Sequence, residues 1–98
     1  MAGIKLAEGA SNGEQASVAQ ARFAHLTESH LRTLFVDGTF NSANVAFEIS
    51  HDDSVWFPVA NASTITVKTV LNVEFRAPFV RVNITGGGGS EDINATLL

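Results

Sequence analysis

The residues best suited to acid–base or metal chemistry are three histidines and one pair of aspartates. His25 and His30 stand five apart, a spacing that suits neither one helical face nor one strand face. His51, Asp52 and Asp53 are adjacent, and calcium favours clustered carboxylate oxygens. Two neighbouring aspartates fall far short of a calcium-binding loop, however, and Asp is common in turns because its side chain caps local backbone groups. The cluster therefore reads as a turn. A Ser-His-Asp arrangement has no G-x-S-x-G segment behind it, and a glycosidase pair needs two acids across a cleft that so small a chain rarely builds. Gly86 to Gly89 lacks the Lys of a phosphate-binding loop and is flanked by strand-like sequence, so it reads as a hairpin loop. With no cysteine, thiolate chemistry, thiolate zinc sites and disulfides are excluded. The expectation is a protein that is not an enzyme and holds no cofactor or metal.

Contact chemistry has better candidates. Trp56 is the sole tryptophan, and its phase differs from that of Val55 and Phe57. It reads as a core or edge plug or as a contact residue; stacking on a sugar ring is the alternative. Arg81 and Phe79 share the outward phase of one strand, and Arg and aromatic residues are enriched at the centres of interfaces. Ile4 and Leu6 are the apolar grip of an otherwise polar, glycine-rich start and stand two apart, as on one side of an extended segment. These five residues form the expected interface set. The sequons at Asn61, Asn83 and Asn94 carry no weight without a secretion signal.

The elements that must position these residues are short strands. Ninety-eight residues make one domain with a thin core. Forty-five per cent of the residues are apolar and 16% charged, which excludes a disordered chain. No apolar run is long enough to span a membrane, and the start lacks the basic head and apolar stretch of a secretion signal. A net charge of −4 argues against nucleic acid as a partner. Residues 1–15 read as an N-terminal arm, held by a partner chain or by the body, and residues 16–98 as the folded domain. Residues 18–26 have no clean period and stay open between strand and short helix. His30 to Val36 suits a strand, followed by a turn at Asp37-Gly38 or at Asn41-Ser42. Val45, Phe47 and Ile49 alternate with Ala46, Glu48 and Ser50, the mark of a strand with one buried face. Pro58 places the strand around Trp56 at a sheet edge or ends it there. Further alternation runs from Ile65 to Asn72, from Phe79 to Thr85 and from Ile93 to Leu97. Six or seven short strands with turn signals every eight to twelve residues predict an all-β fold. We expect a small antiparallel β-sandwich, jelly-roll or immunoglobulin-like, with an extended N-terminal arm.

Two stretches carry a resemblance. GTFNSANVAFEISHDDSVWFPV, Gly38 to Val59, resembles a recurrent pattern in small β-sandwich virion structural proteins of tailed bacteriophages. There a G-T-[FW] turn leads to a strand, then a D-G turn, then a strand carrying W-x-x-V or W-x-P-V. FVRVNITGGGGSEDINATLL, Phe79 to Leu98, resembles the same pattern's ending: a V-R-V strand, a glycine-serine loop and a short last strand. This chain departs by having Asp52-Asp53 at the Asp-Gly position, which asks Asp53 to tolerate a positive φ. The resemblance implies a virion component assembled in the bacterial host cytoplasm, most of all a capsid decoration (cement) protein on the major capsid protein. A neck, tail or fibre component is the nearest alternative, and a carbohydrate-binding module is another. It also implies self-association, a trimer being the form that decoration proteins of this kind often take.

Overall fold

The computed structural model describes residues 4–11, 13–14, 18–19, 30–88 and 90–98. His25, the rest of the unassigned stretch from 20 to 29, and Gly89 lie outside them.

Nine strands form among the described residues: β1 (Ile4–Ala10), β2 (Gly13–Glu14), β3 (Val18–Ala19), β4 (His30–Thr39), β5 (Asn44–Ser50), β6 (Trp56–Pro58), β7 (Thr69–Phe75), β8 (Phe79–Thr85) and β9 (Asp92–Leu97). A short 3-10 turn, Ala60–Ala62, follows β6. One sheet has the order β1-β9-β4-β7. The other has the order β2-β8-β5-β6, with β3 also on β8. Every pairing is antiparallel. The all-β sandwich expected from the alternation is the observed fold.

The pairings are nested. β5 pairs with β6, β4 with β7, β3 and β2 with β8, and β1 with β9, each pair enclosing the one before. The chain is thus one long antiparallel ribbon folded back at the β5–β6 turn. The ribbon then rolls up and closes through β4·β9 and β5·β8. Nested pairing with this closure is the jelly-roll arrangement. An immunoglobulin sandwich would pair several consecutive strands within a sheet. Here β5 and β6 are the only consecutive strands that pair among the described residues.

The alternating segments explain the layers. Val45 and Phe47 of β5, with Val80, Val82 and Ile84 of β8, point inward from one sheet. Leu34 and Val36 of β4, Val73 and Phe75 of β7, and Ile93, Ala95 and Leu97 of β9 point inward from the other. Phe47 and Phe75 meet edge-to-face between the sheets, their ring centroids 5.6 Å apart. Each of the Val, Leu, Ile and Phe side chains among them contributes roughly 1.5–3 kcal/mol by leaving water.

The structure closes two open readings and changes two others. Residues 4–10 of the arm are edge strand β1, with register shifts and with Leu6 and Ala7 both buried in the core. The body itself holds this segment, through β9. Asp37-Gly38 is not a turn, because β4 continues through Thr39. The turn is at Asn41-Ser42, both at positive φ, with the Ala43 amide donating to the Phe40 carbonyl at 2.8 Å. The stretch from Ile65 to Asn72 is not one strand. Ile65 bridges to Val45 in one sheet and β7 belongs to the other, so the chain crosses at residues 66–68 and leaves Val67 exposed. Gly86 to Ser90 is no hairpin loop either, since it joins β8 and β9 across the two sheets.

Candidate interaction surface

The outer face of the β8-β5-β6 sheet carries three of the five expected interface residues. Register places Trp56, Ser50 and Phe79 in one row and Pro58, Glu48 and Arg81 in the next. Arg81 points outward as its phase requires, but it is engaged within its own sheet. Its Nε donates to Glu48 Oε1 at 2.7 Å, and its guanidinium carbon lies 4.2 Å from the Trp56 ring centroid. Both charged side chains keep only about an eighth of their surface in water, 13% for Arg81 and 12% for Glu48. Ser50 has the outward phase yet is buried, flanked by its cross-strand partners Trp56 and Phe79. Trp56 and Phe79 are half-buried. The other two candidates belong to β1: Leu6 is in the core and Ile4 packs against it. The structure therefore brings Trp56, Phe79 and Arg81 together and separates Ile4 and Leu6 from them.

The His51–Asp53 cluster is a tight turn between β5 and β6. Asp52 Oδ1 accepts from the amides of Ser54 and Val55, both at 2.9 Å. Ser50 Oγ accepts from the amide of Asp53 at 2.9 Å and donates to Asp52 Oδ1. The amide bonds from Val55 and Ser54, helped by the Ser50 hydroxyl and the nearby His51, hold the Asp52 carboxyl below the ordinary carboxylate range. Asp53 sits at φ +62°, the positive value its place in the turn asks for. Asp52 Oδ1 is thus used on backbone, and Asp52 Oδ2 lies 3.6 Å from His51 Nε2. Among the described residues no three His, Cys, Asp or Glu side chains gather as a metal site. No helix among them is long and apolar enough to cross a membrane.

The opposite outer face, on β4 and β7, holds residues that sequence reasoning passed over. Leu31 is 67% exposed, Phe35 42% and Val70 60%, all on the solvent side of the sheet. Thr33 spends its amide and carbonyl on Leu98, so its pair with Asn72 is of the non-hydrogen-bonded kind. Phe35 and Val70, two positions along, form the same kind of pair, in which side chains stand closest. A shallow groove of about 390 Å³ runs beside them, lined by Phe35, Val36, Asp37, Lys68, Thr69 and Val70. The signal for this face lay in the sequence: β4 and β7 carry apolar residues on both phases, where a half-solvated strand should alternate.

In comparison with known proteins, the chain matches no protein family, no curated protein and no solved structure.

Proposed function

We propose that this chain is a non-enzymatic structural component of a tailed-phage particle, acting as a head-decoration protein that adheres to the major capsid protein across subunit junctions. The observation that carries the reading is the apolar outer face of β4 and β7, where Leu31, Phe35 and Val70 stand in solvent on a rigid two-layer frame. Such a surface gains free energy when another protein covers it. A jelly roll is a frame that viral coat proteins use, and the Gly38–Val59 and Phe79–Leu98 stretches bear the phage-like pattern. Many copies, each adhering weakly, would brace a shell through multivalency.

The test is to add purified protein to expanded heads of the phage that encodes it. Saturable binding and slower heat disruption are expected. Saturation without any gain in heat resistance would remove the cement role, and absence of binding would remove the head assignment. The carbohydrate reading is less well supported, because the Arg81 guanidinium covers one face of Trp56 that a sugar would use for stacking.

A further inference from the structure

The groove beside Phe35 and Val70 has an oppositely charged rim. Asp37 follows Val36 on β4, and Lys68 precedes Thr69 on β7; Val36 and Thr69 are register partners. Asp37 is thus one place beyond the last register pair and Lys68 one place before β7 begins, so the two charges stand at the same end of the β4–β7 ladder, and both line the groove. Both residues are exposed. We infer that two copies of this chain associate face to face through the outer surface of β4 and β7, with Phe35 and Val70 at the centre and Asp37 and Lys68 at the rim.

The argument is one of self-complementarity. In a contact between identical surfaces, residue i of one copy meets residue j of the other, and j meets i. With the two-fold axis along the β4–β7 seam, each side chain meets the copy of its own cross-strand neighbour. Phe35 then packs on Val70 of the second copy and Val70 on its Phe35. Asp37 comes opposite the second copy's Lys68, and Lys68 opposite its Asp37, so both ends of the charge pair are matched. Aligned packing of two twisted sheets brings such rows together within about 30° of parallel.

Pairing along the β7 edge is the competing geometry, and the structure obstructs it. Because Thr33 and Asn72 are not hydrogen-bonded partners, the Asn72 carbonyl points away from β4. The Asn61 side-chain amide already donates to it at 3.0 Å. An added strand would have to displace that cap. The face is left as the route of contact. Its few apolar side chains make less surface than the roughly 800 Å² per partner of a stable interface, so the association is weak and reversible. The dimer does not rest on the virion reading, but it uses the same face: a copy seated on β4 and β7 keeps the capsid protein off it, so the dimer is a form of the free chain that comes apart on docking.

Sedimentation velocity on the full chain, from micromolar to near-millimolar concentration, should show a monomer–dimer equilibrium. Asp37→Lys and Lys68→Asp should each weaken dimerisation at least about tenfold, because each places like charges opposite one another. The double exchange D37K/K68D should restore it. Phe35→Ser should abolish it, with circular dichroism showing the strand content unchanged. A monomer throughout the range, a trimer, a dimer indifferent to these changes, or a double exchange that fails to restore association would each overturn the inference. Head binding with no self-association would leave the decoration proposal standing and remove this one.

Discussion

The Arg81 guanidinium lies 4.2 Å from the Trp56 ring centroid although the two residues stand on β8 and β6, with β5 between them. The strand between contributes Glu48, which accepts from Arg81 Nε at 2.7 Å. Three strands are thus tied by one cation held between a carboxylate and an aromatic face. Largely dry charge pairs are costly to break on one side only, because the remaining charge loses its partner.

Arg81→Ala should therefore lower stability by about 2–4 kcal/mol, the sum of a shielded ion pair and a cation–π contact. Arg81→Lys should recover only part of this, since an ammonium lacks the planar stack on Trp56. Urea unfolding followed by the emission of the sole tryptophan reads both. A double-mutant cycle with Trp56→Leu, followed by circular dichroism because that change removes the fluorophore, should give a coupling of about 0.5–2 kcal/mol. A coupling near zero would show that the stack contributes nothing.

Gly38 should tolerate no side chain. It has φ +116°, and a Cβ there would lie 1.9 Å from the Asp92 carbonyl oxygen on β9. The obstacle is backbone of a paired strand, so it cannot swing aside. Gly38→Ala should cost more than about 3 kcal/mol, combining backbone strain with a forced shift in the β4·β9 ladder. A denaturation midpoint close to that of the native chain would contradict this geometry.

Ser42→Gly should stabilise the protein. Ser42 has φ +71° and follows Asn41 at +46° in the β4–β5 turn, a conformation for which Asn-Gly is the preferred pair. Relief of about 1–2 kcal/mol at the left-handed position outweighs the roughly 0.4–1 kcal/mol lost to a freer unfolded chain. The net gain expected is about 0.5–1 kcal/mol, measured as a higher midpoint with an unchanged denaturant slope. A lower midpoint would mean the serine makes a contact worth more than its strain.

Asp52 should give the turn a pH dependence on the acid side. Its carboxyl is held below the ordinary range by the Val55 and Ser54 amides, so the folded state binds its proton less readily than the unfolded state. The resulting stabilisation is fully present above the unfolded carboxylate value, about 3.9. It is lost as pH falls through the lower folded value. Melting the native chain and Asp52→Asn side by side from pH 7 to pH 2 should show a constant gap down to about pH 4, which then closes. A gap that widens in acid would reverse the assignment.

The amino-acid sequence alone carries the fold class and the inward side of most strands. Val45 and Phe47, the Val80 to Ile84 run, and Ile93 to Leu97 follow period two, and burial of one pleat face is a local consequence of that period. It also determined that Pro58 ends an edge strand, because a missing amide donor is a local property. The turn residues are readable to the same extent: an Asp in the place of the turn glycine asks for a positive φ at Asp53, and its φ is +62°.

Tertiary structure alone decided what depends on residues far apart in the chain. That residues 4–10 form a strand rests on β9, some 85 positions later, whose Asn94 also accepts from the Gly9 amide. Gly38 reads locally as half of a turn because Asp-Gly is a turn signal; it is in a strand because β9 pairs with it, and Asp92 then leaves no room for a Cβ. Arg81 and Phe35 are the sharpest contrast. Both have an outward phase, yet one is clamped by Glu48 and Trp56 and the other stands beside an open groove. Phase along one strand fixes the direction of a side chain. Which neighbours cover it depends on the order in which distant strands are laid side by side, and rolling the ribbon into two sheets sets that order.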